Sequence, residues 1–272
     1  MKILLCTDGS EQAARAAHFS LLLARQGDAI RLLAVVEDHA ERTLRRALET
    51  LGAELQAIGV ECETQLRHGH AAEQILDEAA EWQADLIVIG RVGKRGLTRF
   101  SMGGTAARIV QYAPCSVLLV KEARPALRKI LACTGGRQPG LRDVEAAGQL
   151  AAQSGAEVTV LHVMSQVALT EIGYRPDLEA PATELIGRHT REGEHLQTAL
   201  NTLRVLEVRC KAKVRHGLVV DEIAAEARDG DYDLLVIGAN ASRGFSRWLL
   251  DDVTAHVLDE VQLPILVVRG EL

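Results

Sequence analysis

The sequence predicts an α/β protein built from two copies of a five-stranded, doubly wound parallel sheet. Three observations support this fold class. The chain repeats its own sequence blocks in the same order, short apolar runs alternate with stretches of helical spacing, and these runs are mostly continuous. Continuous apolar runs are typical of strands covered on both faces, and strand–helix alternation gives parallel sheets with right-handed crossovers. A chain of 272 residues is long enough for two such domains.

The repeated blocks indicate duplication of a whole domain rather than a short solenoid repeat. "KILLCTDG" at residues 2–9 returns as "KILACTGG" at 129–136, and "DLIVIG" at 85–90 returns as "DLLVIG" at 233–238. The pairs "RHGHAAEQI"/"RHGLVVDEI" and, more loosely, "APCSVLLV"/"QLPILVV" complete the series.

The distance between the copies grows from 127 residues (2 to 129) to 148 residues (85 to 233). The second copy therefore carries about twenty extra residues, and Pro176 and Pro181 indicate a loop there. We predict domains at 1–122 and 128–272, joined near Pro125, with an insertion near 166–190.

Strands of the first copy are predicted at five apolar runs: Ile3–Cys6, Ala29–Val36, Val60–Leu66, Leu86–Ile89 and Ser116–Val120. Ser10 is a suitable N-cap for the helix that follows the first strand, because its hydroxyl can accept from a free backbone N–H group. Ligands of doubly wound sheets bind outside the carboxyl ends of the strands, where the strand order reverses.

Composition excludes several function classes. The net charge is -6 and the pI is about 5.9, which argues against nucleic acid as a partner. No run of 18 apolar residues occurs, so no membrane span is predicted. The five cysteines have no CxxC spacing and are interpreted as small buried side chains in a reducing cytoplasm.

The loop that follows the fourth strand combines glycines with basic residues. Its glycines and cations are Gly90, Gly93, Gly103, Gly104, Lys94, Arg95 and Arg99, and a helix follows directly. Glycine lets a ligand approach main-chain N–H groups, and a helix N-terminus attracts anions, so the pattern indicates a phosphate cradle. On composition alone, simple turn glycines remain the commoner explanation, because the spacing is neither a P-loop nor G-x-G-x-x-G.

The spacing Gly90-x2-Gly93-x9-Gly103, followed by a helix and "APCSVLLV", resembles the nucleotide-binding signature of the universal stress protein family. "ILLCTDGSEQA" resembles the start of that domain. The resemblance implies an adenine nucleotide hydrolase-like fold and ATP as the ligand, with Mg²⁺ left open. Carried over, it assigns adenosine contacts to Asp8 and to the backbone of Val35. The complete implied site is Thr7, Asp8, Val35, Gly90, Gly93, Lys94, Gly103, Gly104 and Thr105, with no catalytic residue and no metal ligand.

Both copies depart from the family pattern. In the first, Gly104 stands where the family has Ser or Thr, with Thr105 one place on. In the second, Asp8 becomes Gly135, Gly93 becomes Ala241, and the glycine pair becomes Asp251-Asp252. A carboxylate about 4 Å from a phosphate charge costs about 4 kcal/mol at an effective dielectric of 20. We therefore predict that the second copy binds no triphosphate. The two acids are otherwise explained by a first helical turn, or by Mg²⁺.

Three functions are compatible with these residues: a regulatory protein that binds ATP or another adenine nucleotide in its first copy, a slow ATPase, and an interaction protein without nucleotide. The resemblance also implies an intramolecular pseudo-dimer through the last strands, Val117–Val120 and Ile265–Val268, and further assembly into a homodimer. Within the insertion, Tyr174 and Arg175 either fill the second copy's site or belong to a mobile surface segment.

Overall fold

The computed structural model describes residues 1–37, 41–90, 103–135, 141–164, 180–239 and 252–269. The first half of the chain contains β1 (Lys2–Cys6), α1 (Glu11–Ser20), β2 (Ala29–Val36), α2 (Glu41–Ala57), β3 (Glu63–His68), α3 (Ala71–Trp82), β4 (Leu86–Gly90), α4 (Gly104–Tyr112) and β5 (Ser116–Val120). The second half contains β6 (Lys129–Thr134), α5 (Arg142–Ser154), β7 (Glu157–Met164), α6 (Ala182–Gly187), α7 (Arg191–Val205), β8 (Cys210–His216), α8 (Val219–Asp229), β9 (Leu234–Gly238), α9 (Asp252–Glu260) and β10 (Ile265–Val268).

The strands form one ten-stranded sheet in the order β3-β2-β1-β4-β5-β10-β9-β6-β7-β8. Pairing is parallel within each half, which confirms the predicted fold class. In the first half the strand order reverses between β1 and β4, and in the second half between β6 and β9. These are the two places where a doubly wound sheet opens a crevice for a ligand.

The two halves meet through their last strands, as the sequence predicts. β5 and β10 pair antiparallel, with Leu118 opposite Leu266 at the centre. Every residue of both strands is buried. Because exposed apolar edge strands invite pairing, fusion of the halves covers two edges that isolated domains would expose. The homodimer stays a prediction.

The third strand differs from the sequence prediction. The predicted run was Val60–Leu66, whereas β3 spans Glu63–His68 and pairs with β2 from Arg31 to Val36. Val60 instead closes the turn after α2, where its N–H donates to the Leu55 carbonyl. The bounds of this edge strand follow from its pairing with β2. Because β3 is mostly exposed, its sequence lacks the apolar run that marks the inner strands.

Helices cover both faces of the sheet. One face packs against α1, α2, α5, α6 and α7, and the other against α3, α4, α8 and α9. Part of the predicted insertion is α6, which lies so close to α7 that a Cβ on Gly193 would collide with the Leu185 carbonyl. Thr190 caps α7 by accepting from the Gly193 N–H at 3.0 Å. Tyr174 and Arg175 lie outside the described residues.

Candidate functional site

The turn after β1 is held by its own polar side chains. The Gly9 N–H donates to Thr7 Oγ1 at 3.1 Å, and the Ser10 N–H donates to Asp8 Oδ1 at 2.9 Å. Ser10 then caps α1 by accepting from the Ala13 N–H at 3.2 Å, as predicted. Asp8 is exposed, so this network fixes its carboxylate at the carboxyl end of β1 while leaving it open to solvent.

Gly90 ends β4 directly against the first turn of α1. A Cβ at this position would lie 3.1 Å from the Ala13 nitrogen and 3.2 Å from the Gln12 carbonyl carbon. Such distances are tighter than nine in ten real Cβ contacts, so a larger residue would require β4 or α1 to shift by a few tenths of an ångström. Glycine is therefore favoured here by the close approach of two backbones at the crevice between β1 and β4.

Val35 presents a backbone edge to the same crevice. β1 pairs with β2 only as far as Leu33, and the Thr7 N–H donates to the Leu33 carbonyl at 2.8 Å. The Val36 carbonyl faces the other way, since it accepts from the Gly69 N–H beyond β3. Because main-chain groups alternate along a strand, the N–H and C=O of Val35 point towards β1, into the space past its end.

The N-terminus of α4 completes the described part of this edge. Gly103 is its N-cap and has no side chain to accept from the first-turn N–H groups. Gly104 and Thr105 are exposed, and a Cβ on Gly104 would meet no atom within 4 Å. The helix begins after the carboxyl end of β4, as a right-handed crossover requires, so its positive end faces the ligand edge of the sheet.

Of the predicted site residues, the structure brings Thr7, Asp8, Val35 and Gly90 to adjacent strand ends and places the start of α4 at the same edge. The remaining loop residues lie outside the described residues: Gly93, Lys94, Arg95 and Arg99.

The second half carries a polar cluster that the sequence reasoning missed. Thr134, the counterpart of Thr7, has its Oγ1 2.6 Å from His195 Nε2, and His162 Nδ1 donates to the Thr134 carbonyl at 3.1 Å. The two rings have centroids 6.3 Å apart. Aligning the strand registers and the cysteines puts these histidines where the first half has Ala34 and Ala47. The sequence signal was this pair of alanine-to-histidine differences between the copies.

Burial lowers the pKa of His195, and the neighbouring His162 adds to the effect. Neutral imidazole is therefore favoured, which suits a hydrogen bond with a hydroxyl. Two rings thus lie at the carboxyl ends of β6 and β7, where the first half has two methyl groups.

An acid also enters the second crevice. Asp143 in the first turn of α5 is buried, and its carboxylate oxygens lie 2.6 Å from where a Cβ on Gly238 would stand. The Gly238 N–H donates to this carboxyl, yet burial raises its pKa from 3.8 to about 7. Gly238 is the counterpart of Gly90, so the second half puts a side chain where the first half has only backbone.

Comparison with known proteins decides the family. The sequence profile of the universal stress protein family matches residues 1–121 and again residues 126–269. The chain belongs to the universal stress protein family. The tandem arrangement and the resemblance on which the sequence prediction rested are thereby confirmed.

Relatives of this universal stress protein match one half or the whole. One from Thermus aquaticus is 38% identical over an alignment of 135 residues, and the match covers 44% of this chain and 97% of that protein. One from Synechocystis is 33% identical over 91 residues, and the match spans 32% of this chain but only 59% of that relative. The crystal structure of a universal stress protein from Archaeoglobus fulgidus aligns over 98% of both chains with a TM-score of 0.72, at 14% identity, which shows the shared fold.

Other features of the described chain suggest no further chemistry. A cavity of about 360 Å³ lies between Leu23 and Arg25 on one side and Gln149 and Gln153 of α5 on the other, at the opposite end of the first half's strands from the candidate site. Within the described ranges, no cluster of three His, Cys, Asp or Glu side chains is placed to hold a metal. No helix there has the length and apolar character needed to cross a bilayer.

Proposed function

We propose that the first half binds ATP or another adenine nucleotide, and that the protein acts as a regulatory nucleotide-binding protein whose second half is a scaffold. The observation that carries this proposal is the crevice between β1 and β4. It combines an exposed Asp8, the outward backbone edge of Val35 and the uncapped start of α4. These are the groups that the family resemblance assigns to a nucleotide.

Each group has chemistry suited to one part of the ligand. The N–H and C=O of Val35 offer one donor and one acceptor, which match the hydrogen-bonding edge of adenine. Asp8 uses Oδ1 to accept from Ser10, and its second oxygen is available to a ribose hydroxyl. The free N–H groups at Gly104 and Thr105 and the helix dipole favour phosphate. Gly93 and Lys94 would complete the phosphate contacts.

The second half differs from the first at the ends of its strands. Gly135 replaces the aspartate, the rings of His162 and His195 occupy the strand ends, and the carboxyl of Asp143 sits against Gly238. Carboxylates at Asp143 and at the Asp251-Asp252 pair would oppose a triphosphate. We therefore expect one nucleotide per chain.

Calorimetric titration of the intact protein with ATP, with and without Mg²⁺, tests the proposal. The parent chain should bind one equivalent, and Gly103→Asp should abolish binding because a carboxylate would replace the open N-cap. Gly187→Asp is the matched control, since it adds the same charge at an exposed glycine with no neighbour within 4 Å, and it should bind as the parent does.

Equal affinity of Gly103→Asp and the parent would show that the site is misassigned. Absence of binding by the parent, together with absence of nucleotide in a denatured extract of the purified protein, would favour an interaction protein instead. Release of phosphate from bound ATP would identify the slow ATPase.

A further inference from the structure

Lys121 and Arg269 occupy equivalent positions in the two halves. Each follows the last residue of the last strand, Val120 of β5 or Val268 of β10. Because these strands pair antiparallel, the end of each strand lies next to the other half. Each cation therefore lies close to the end of the other half's last helix. The pairing therefore places a basic side chain from each half beside the C-terminus of a helix from the other.

Arg269 reaches into the first half. Its Nη2 donates to the carbonyls of Val110 at 2.7 Å and Gln111 at 3.0 Å, in the last turn of α4. Its backbone N–H donates to the hydroxyl oxygen of the fully buried Ser116 at 3.0 Å, and that hydroxyl lies 3.1 Å from the Arg269 carbonyl. Side chain and backbone thus both tie Arg269 to the half that contains α4.

Lys121 makes the reciprocal contact. Its Nζ donates to the carbonyls of Asp259 at 3.1 Å and Val261 at 2.7 Å, at the end of α9 in the second half. Each last helix is thus capped at its C-terminus by a cation from the opposite half, an arrangement that we call the reciprocal clasp. Its members are Lys121, Arg269 and the four carbonyls that they bind.

The clasp is an electrostatic as well as a geometric contact. The last carbonyls of a helix carry the negative end of its dipole, and a cation there is stabilising. Burial lowers the pKa of the Arg269 guanidinium, so this charge is largely removed from water. Because removing a charge from water is costly, its loss of hydration must be offset by the carbonyls of α4.

We propose that Arg269 is a positioning residue for the nucleotide site of the first half, an inference that rests on the proposed function. α4 has nine residues, and at 1.5 Å per residue it is about 13 Å long. Its first residues, Gly104 and Thr105, would meet the phosphates, and its last turn is held by Arg269. A helix transmits an axial restraint along its length, so the second half sets where the phosphate-binding N–H groups stand.

The test compares Arg269→Gln, Arg269→Lys and Lys121→Gln in the intact chain, by ATP titration and by hydrogen exchange of backbone amides. Arg269→Gln should raise exchange in α4 and weaken ATP binding about ten-fold, a typical coupling between linked sites. Lys121→Gln loses the pseudo-symmetric contact, so it should raise exchange in α9 and leave ATP affinity within about two-fold. Arg269→Lys keeps the charge and should fall between the parent and Arg269→Gln.

The outcomes separate this inference from the proposed function. Absence of ATP binding by the parent would overturn both. If the parent binds ATP and Arg269→Gln binds it equally tightly, the positioning role is wrong and the proposed function stands. Unchanged exchange in α4 would also overturn the inference. Should Arg269→Gln fail to fold, the milder Arg269→Lys variant gives the same comparison.

Discussion

Replacing Asp143 by Asn should stabilise the protein above neutral pH. Asp143 is buried in the first turn of α5, and burial raises the pKa of its carboxyl from 3.8 to about 7. Asparagine has nearly the same shape as the neutral acid, and its amide oxygen can still accept from the Gly238 N–H. The substitution therefore removes the ionisation while keeping the hydrogen bond.

The direction of the pH effect follows from the raised pKa of Asp143. A raised folded-state pKa gives a contribution that is fully present below pH 3.8 and is lost as the pH rises to about 7. At 1.36 kcal/mol per unit, the interval corresponds to about 4 kcal/mol lost by pH 8. The dipole of α5 favours the carboxylate and offsets this loss by about 0.5 kcal/mol. Asp143→Asn should therefore be more stable than the parent by about 3.5 kcal/mol at pH 8 and nearly equal at pH 4.

Urea unfolding followed by circular dichroism at pH 4, 6 and 8 measures this difference. Glu145→Gln is the matched control, because Glu145 lies in the same first turn but is exposed. Its unfolding free energy should change by less than about 1 kcal/mol at each pH. A stability difference between Asp143→Asn and the parent that does not vary with pH would refute the reasoning, as would a less stable variant at pH 8.

Two further substitutions test the local arguments. Gly90→Ala should lower the free energy of unfolding by about 1–3 kcal/mol, because its Cβ would lie 3.1 Å from the Ala13 nitrogen. The control Gly104→Ala places its Cβ in open space and should not lower the free energy of unfolding. Equal urea midpoints for the two variants would contradict the close approach of β4 and α1. His195→Gln should flatten the stability profile between about pH 7 and 5. The pKa of His195 is lowered, so its stabilising contribution is present above the unfolded-state pKa and is lost as the pH falls. If His195→Gln leaves the pH dependence of the unfolding free energy in urea unchanged, the neutral form of His195 in this cluster is wrong.

The sequence predicted the fold because its repeats and inner strands carry strong local signals. β2 and β5 lie where the apolar runs predicted them, and β1 and β4 each gain one terminal residue. β3 was displaced because an edge strand takes its register from β2 rather than from its own apolar residues. Thr7, Asp8 and Gly90 were named from the resemblance of their motifs to the family's, and their binding roles stay predictions.

Other features of the site depend on tertiary contacts that no local pattern encodes. His162 and His195 meet only because β7 and α7 are brought together across the insertion. Arg269 gains its role only when antiparallel pairing of β5 and β10 places it under α4. A lone basic residue after a strand is otherwise indistinguishable from a solvated surface charge.

Differences between the two halves are concentrated at the ligand edge, whereas the contacts that hold each half together are repeated. Arg67 contacts the buried Glu78, and the equivalent Arg215 contacts the buried Glu226. The reciprocal clasp is likewise kept on both sides. The strand ends, by contrast, differ between the halves. The first half has backbone and small residues there, and the second half has imidazole and carboxyl side chains.

The location of these differences bears on the roles of the two halves. A duplicated domain that had merely lost stability would differ throughout its core. Here the second half keeps its core and its clasp and differs at its strand ends, where burial raises the pKa of Asp143 to about 7 and lowers the pKa of His195. Filling a crevice with side chains that are paired within the same half removes a binding site without opening a cavity. The second half thus holds the last turn of α4 through Arg269, while the proposed nucleotide site lies in the first half alone.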